Sequence, residues 1–359
     1  MVKQNERKIA MYVRASRGKR LLTALLVLTL VLGSVFCTAM PAQAYVQEEE
    51  AASAQNNGGA TFSWDNATVY FLLTDRFYNG NEANDHSYGR GLDQNGNVVN
   101  GVDPSATFHG GDFAGITQKI EEGYFTDLGV NAIWLSAPYE QIHGYVVGGD
   151  STPSFPHYAY HGYYAMDYTQ TDANFGTAEE FQTLVDTAHE HGIRIVMDIV
   201  LNHSGYNTML DMAEYNFGTL KSGWESYYYS HQNVNNTNYH SYIDYNSDAT
   251  AWGRWWGNDW VRAGLAGYSG SGSGEVQGSL SGLPDFKTES TKSVSVPTFL
   301  QEKWREEGRY NTEMQKLDDY FTSTGKSRTV TNYLAFWLSE WVRQYGVDGF
   351  RCDTAKHVE

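Results

Sequence analysis

Arg351 and Asp353 stand two residues apart in GFRCDTAKH, the string from Gly349 to His357. On an extended strand that spacing puts both side chains on one face, so a guanidinium lies beside a carboxylate. The cation keeps the carboxylate ionised at neutral pH, the state in which a carboxylate acts as a nucleophile. A buried structural ion pair has the same two letters, because such pairs also perturb pKa values. Other strings also gather polar groups. DIVLNH runs from Asp198 to His203, HGYYAMDY starts at His161, and LPD ends on Asp285. Each alone has a plain reading: D-x-x-x-N-H as an ordinary strand end, the Gly-Tyr-Tyr run as core.

The elements that must position these residues alternate. TVYFLLTDRF from Thr68, NAIWLSAP from Asn131, IRIVMDIVLNH from Ile193 and VDGFRCD from Val347 are apolar strand runs, three of them ending on polar groups. Helical spacing falls between them, over Asp112–Leu128, Ala178–His191 and Tyr333–Tyr345. In the second, Phe181, Leu184, Val185 and Ala188 form one stripe, and Gly192 marks its end. Strands alternating with helices imply a parallel sheet with crossover connections. Polar residues at the C-terminal ends of the strands match the active-site face of a (β/α)8 barrel. Four strands are visible where a barrel needs eight, so the chain reads as about half a barrel, cut at its C-terminal side. About 125 residues separate the third strand from the third helix, too many for an ordinary loop. That segment is rich in rings (Tyr227, Tyr228, Tyr229, Trp252, Trp255, Trp256, Trp260) and is expected to form a small inserted domain.

The 359 residues carry a formal charge of −17. Residues 1–44 hold seven of the 25 Lys/Arg and one of the 42 Asp/Glu, so the remainder carries −23. That balance argues against nucleic acid or anionic membrane as a partner. The N-terminus has a basic stretch from Lys3 to Arg20, an apolar run from Leu21 to Met40, and Ala42-Gln43-Ala44. This is the pattern of a secretory signal peptide cleaved near Ala44, with a single membrane anchor as the alternative. Secretion to the periplasm or medium is the expectation, with residues 45–60 as a polar linker. Of the two cysteines, Cys37 falls in the leader. Cys352 is left without a partner and points away from Arg351 and Asp353 as a packed thiol.

In this order the strings resemble the signature regions of the α-amylase family, glycoside hydrolase family 13. The resemblance covers Thr61 to Glu359. Phrases such as TDRFYNGN, FPHYAYHGYY and DTAKHVE are similar to those of secreted and periplasmic bacterial α-amylases. It implies a (β/α)8 barrel, with residues 61–202 as its first part. Residues 203–330 would be the inserted domain, and 331–359 the third helix and fourth strand. It implies Asp353 as nucleophile, Arg351 as its partner, and Asp198 as a brace for that arginine. Tyr163 would stack on the sugar at the cleavage site, with His161, His203, Lys356 and His357 contacting sugar. It also implies calcium held by Asn202, Asp285 and the carbonyl of His357. A second calcium loop would comprise Asn79, Asn81, Asn84, Asp85, Gly110 and Asp112. The plain alternatives are local hydrogen bonding and simple turns. Zinc is disfavoured at HYAYH (157–161), which lacks the HExxH pattern.

The implied reaction is hydrolysis of internal α-1,4-glucosidic bonds in starch or maltooligosaccharides with retention of configuration, by a monomer. Retention needs two carboxyl groups about 5–5.5 Å apart. The general acid of the family lies on the fifth strand, beyond Glu359. Glu359 follows the fourth strand too closely to be that acid, and the fragment alone is expected to be inactive. A cyclodextrin glucanotransferase shares every motif quoted, and a non-catalytic glycan-binding homologue would keep the barrel alone.

Overall fold

The computed structural model describes residues 62–93, 95–98, 104–148, 155–224 and 239–359. The expected leader and linker, and Tyr227 to Tyr229, lie outside the described residues. Strands β1 (Val69–Leu72), β2 (Ala132–Leu135), β7 (Arg194–Val200) and β10 (Gly349–Asp353) form one sheet in the order β1-β2-β7-β10, and every pair is parallel. This is the succession expected for the first four strands of a barrel. The intervening strands pair outside it: β3 (Tyr139–Gln141) with β6 (Ala165–Thr171), β4 (Val146–Gly148) with β5 (Phe155–His157), and β8 (Val261–Arg262) with β9 (Asp285–Phe286).

Helices Phe113–Glu121, Ala178–Glu190 and Val330–Tyr345 fill the crossovers. The first was expected to run to Leu128. It stops at Glu121 because Gly123 adopts φ 82°, and only a short turn, Tyr124–Asp127, follows. The second begins at a reciprocal capping box, in which Thr177 accepts from the Glu180 N–H and the Glu180 carboxylate accepts from Thr177 N–H. The third starts three residues earlier than its apolar stripe suggests, because the Thr329 side chain accepts from Asn332 N–H and caps it. Ile133, Leu135, Ile195, Met197 and Ile199 alternate onto one face of the sheet and are buried in a cluster that includes Phe113, Phe181 and Trp341. The opposite face carries Val69 and Phe71, both about half-exposed, then Trp134, Asp198, Arg351 and Asp353.

Between β7 and Val330, helices Met209–Glu214, Thr298–Glu306 and Tyr310–Thr324 join the β8–β9 ribbon. Trp252, Trp255, Trp256 and Trp260 are buried. Trp260 stacks on Trp337 of the third crossover helix at 5.7 Å between ring centroids. The aromatic richness of this segment therefore fills core volume, and its cluster is continuous with that behind the sheet. Among the described residues no helix is long and apolar enough to cross a membrane.

Candidate active site

Strand register assembles the site. Arg351 of β10 is paired with Asp198 of β7, and Asp353 follows two residues on. Arg351 Nη1 donates to both carboxylate oxygens of Asp198 at 3.2 Å and to Asp353 Oδ1 at 2.7 Å. One guanidinium nitrogen thus holds two carboxylates on one face. Asp198 is fully buried, whereas Arg351 and Asp353 are partly open to solvent. Burial raises the Asp198 carboxyl above its ordinary value, against the pull of Arg351. Burial alone would lower Arg351; the Asp198 and Asp353 carboxylates outweigh it and hold the guanidinium charged.

Trp134 was not anticipated. Its Nε1–H donates to Asp198 Oδ2 at 3.2 Å, and the Arg351 guanidinium lies 5.0 Å from its ring centroid. Its place was readable from β2, since Trp134 alternates onto the face opposite Ile133 and Leu135. Thr354, just past Asp353, is a β-branched residue at φ 46°. Such conformations cost about 1–3 kcal/mol and gather at functional sites.

The expected stacking platform stands against the same carboxylate. Tyr163 Oη donates to Asp198 Oδ2 at 3.4 Å. His161 Nδ1 accepts from Tyr163 N–H at 2.9 Å, which leaves the ring proton on Nε2, and the two rings stack at 5.3 Å. Gly162 between them has φ 86°, and a Cβ there would meet Ala137 O at 2.9 Å. Burial, with His157 and His203 nearby, pushes His161 down to about 3, so its imidazole is neutral at pH 7. Burial and Asp198 push the Tyr163 phenol up to about 12. Gln141, also unanticipated, is fully buried, and its Oε1 accepts from Tyr164 N–H at 2.7 Å, fixing this loop from behind.

His203 is buried, its Nδ1 3.1 Å from Ser204 O, and it bridges backbone to backbone with Asp285. That bridge brings Asn202 and Asp285 together, with Phe286 N–H donating to Asn202 O at 2.8 Å. Asn202 Oδ1 and Asp285 Oδ1 are both buried without a hydrogen-bond partner. The other Asp285 oxygen takes Arg262 Nη1 at 2.8 Å. Two orphaned oxygens on adjoining segments suit a hard cation.

In the 79–112 region, Asn79 Nδ2 donates to Asp85 Oδ1 at 2.8 Å and Asn84 Nδ2 to Asp112 Oδ2 at 3.3 Å. Asn79 Oδ1 and Asn84 Oδ1 are left as buried orphans. Gly110 lies so close that a Cβ would fall 2.5 Å from Asp85 Oδ1. Asn79, Asn84, Asp85, Gly110 and Asp112 therefore converge. Asn81 joins them through its backbone N–H, which donates to Asp112 Oδ2 at 2.8 Å, while its side-chain oxygen caps the turn Glu82–Asn84.

Lys356 and His357 are drawn elsewhere. They lie on the 3-10 turn Ala355–His357, where Lys356 Nζ meets Glu275 Oε1 at 2.8 Å and His357 Nδ1 is 2.5 Å from Glu275 O. Glu275 belongs to the glycine-serine stretch GYSGSGSGE, whose composition gave no sign of this contact. Cys352 is a free, half-buried thiol that burial raises above its ordinary value.

The model of the α-amylase catalytic domain matches residues 71–262. The chain belongs to the α-amylase family. A periplasmic α-amylase of Escherichia coli (strain K12) is 46% identical over 315 residues, covering 85% of this chain and 43% of that protein. A cyclomaltodextrin glucanotransferase of Paenibacillus macerans is 37% identical over 172 residues, 46% of this chain and 22% of the relative. Among solved structures, the γ-cyclodextrin glucanotransferase of alkalophilic Bacillus clarkii aligns with a TM-score of 0.47 at 23% identity, over 81% of this chain and 32% of that one. The chain spans less than half the length of these relatives. Membership implies a (β/α)8-type fold for the α-amylase catalytic domain, of which the sheet described above has four strands.

Proposed function

We propose that the protein carrying this segment is a secreted glycoside hydrolase that cleaves internal α-1,4-glucosidic bonds of starch and maltooligosaccharides with retention. The observation that carries this reading is the single guanidinium of Arg351 shared between Asp198 and Asp353 at the ends of adjacent parallel strands. Asp353, partly exposed and held in place by its hydrogen bond from Arg351, attacks the anomeric carbon. Buried Asp198 keeps Arg351 in place, and Tyr163 stacks on the sugar whose bond is broken. His161 and His203 accept or donate to its hydroxyls. Lys356 and His357 reach sugar if Glu275 releases them. The acid that protonates the leaving oxygen comes from a further strand. The half-exposed apolar face of Val69 and Phe71, and the edge positions of β1 and β10, favour such strands closing the barrel. Residues 61–202 and 331–359 then belong to the barrel, and 203–330 to an insertion.

Calcium fits two places. Asn202, Asp285 and the His357 carbonyl would hold one ion, and Asn79, Asn84, Asp85, Gly110 and Asp112 another, with Asn81 bracing Asp112. Calcium bound there would supply structural cross-linking rather than bond chemistry. The N-terminal pattern favours export to the periplasm or medium, and the acidic surface a neutral glycan partner.

The test is product analysis on the full-length protein with maltooligosaccharides, following the anomeric form by NMR. Linear products released first as the α-anomer are expected, and β-anomers would overturn retention. Predominantly cyclic products would support instead the glucanotransferase reading that the Paenibacillus macerans relative keeps open. Glycan binding without turnover would leave a non-catalytic homologue. The 359-residue polypeptide by itself should show no measurable starch hydrolysis.

A further inference from the structure

Away from the sheet ends, a second group of side chains gathers behind the β3–β6 ribbon. His143, on the loop after β3, has its Nδ1 2.6 Å from Glu214 Oε2. Its backbone N–H donates to Asp211 Oδ1 at 2.9 Å. Asp211 and Glu214 lie three residues apart on helix Met209–Glu214, a spacing that sets them on one face. One ligand atom from each of His143, Asp211 and Glu214 falls within 4.8 Å of the others. The remaining ring nitrogen, Nε2, is 2.7 Å from Glu140 Oε1. Glu140 is fully buried and anchored by Lys303 Nζ at 2.6 Å. The imidazole plane is fixed by Tyr88, stacked on it at 3.8 Å and 15°.

We propose that His143 Nδ1, Asp211 and Glu214 form a binding site for a divalent transition ion of the zinc class. The argument has three parts. First, the donor set is one imidazole and two carboxylates. That suits zinc or cobalt and not calcium, which takes oxygens. Secondly, Glu140 is the carboxylate that orients a metal-bound histidine. An ionised acceptor at Nε2 places the ring proton there and leaves the Nδ1 lone pair for the ion. Thirdly, an ion would give the two carboxylates a positive charge that no lysine or arginine gives them. Among the described residues neither Asp211 nor Glu214 is paired with a lysine or arginine, although Asp211 is buried. Lys303 is committed to Glu140, Asp167 and Glu307, and Arg309 to Asp167, Glu307 and Glu313. Metal–ligand bonds of about 2.0–2.2 Å require Glu214 to move outward by a fraction of an ångström. It is free to do so, since its side chain is about one-third exposed. Water completes the coordination from that side.

Without an ion, the same geometry can be met by a doubly protonated imidazolium between Glu140 and Glu214, and the experiment separates the two. The full chain is stripped with chelator, saturated with calcium and titrated with Co(II) while its visible absorption is recorded. The expected result is one equivalent giving intense four-coordinate d–d bands, displaced by Zn(II) and not by excess Ca(II). Glu214→Gln, on a partly exposed side chain, should abolish the bands while far-UV circular dichroism stays unchanged. Glu140→Gln should weaken binding about 10–100-fold. Asp353→Asn and Asn202→Ala should leave the bands intact. Only the weak bands of six-coordinate cobalt in the wild type, or full bands persisting in Glu214→Gln, would overturn the site. The first result would leave the imidazolium as the explanation.

Discussion

Two regions of this molecule put one cation between carboxylates, and they do opposite things with it. At the strand ends Arg351 joins Asp198 to Asp353 with a side chain about one-third exposed. Beneath the β3–β6 ribbon Lys303 joins Glu140 to Asp167 at 2.6 and 3.2 Å, and all three are sealed from solvent. Trp304 Nε1–H adds a bond to Asp167 at 3.0 Å. The sealed cluster docks helix Thr298–Glu306 onto the ribbon and has no room for a substrate. Charge pairing alone therefore does not mark a site. What distinguishes the first region is a carboxylate left with one face open, beside a ring and strained backbone at Thr354.

The largest effect expected from breaking that contrast is on turnover. In the full-length protein Asp353→Asn should lower kcat by at least about a thousandfold, with the melting temperature nearly unchanged. An intact kcat would remove Asp353 from the chemistry. Lys303→Met should do the reverse. Removing the ammonium that buried Glu140 and Asp167 share costs about 3–5 kcal/mol, read as a lower denaturant midpoint, while any protein that remains folded keeps its rate constant. If Lys303→Met is as stable as the parent, the sealed cluster is not what holds the helix.

The oxygen-rich pockets come next. Chelator should lower the melting temperature, and Asn202→Ala should reduce the size of that drop. The two orphaned oxygens of Asn202 and Asp285 lie on adjoining segments that a cation would tie further together, so an unchanged melt in excess EDTA would sink both calcium assignments.

The sheet was legible because its strands are apolar runs, three of them closed by polar residues, and a parallel register then dictates that Arg351 meets Asp198. The 3.6-residue stripe located the helix Ala178–Glu190 to within a residue. Helices Thr298–Glu306 and Tyr310–Thr324 were missed. Their N-caps, Pro297 and Arg309, make no side-chain cap bond and so left no start signal. Short ribbons such as β4–β5 and β8–β9 carry too few residues for a period to emerge. The Glu140–Lys303–Asp167 cluster was invisible for another reason: its members come from distant positions, and only the fold brings them together. Glu275 was hidden likewise, in a glycine-serine stretch that reads as a plain loop.

His161 gives a smaller effect with a definite sign. Its folded-state value of about 3 lies below the ordinary 6.5, so the unfolded chain binds the proton first as pH falls. Its stabilising contribution is complete above pH 6.5 and is lost at up to about 1.4 kcal/mol per pH unit on descending towards pH 3. Carboxylates titrate in part of that window, so the measurement is a difference. The stability of His161→Gln should fall less steeply than wild type between pH 6 and 4, and parallel curves would mean that the imidazole is protonated in the fold.

The smallest effect on stability sharpens the comparison most. Lys356 and Glu275 form an ion pair with both side chains more than half exposed, a class of contact that contributes little to folding. Glu275→Gln should therefore leave the melting temperature where it was, in contrast to Lys303→Met. If Lys356 serves the sugar, loss of the competing carboxylate should lower KM in the full-length protein at low salt, with kcat unchanged. The difference should fade as salt screens the wild-type pair. An unchanged KM at every ionic strength would mean that Lys356 takes no part in binding, and that the open region consists of Arg351, Asp353 and Tyr163 with little help from the turn behind them.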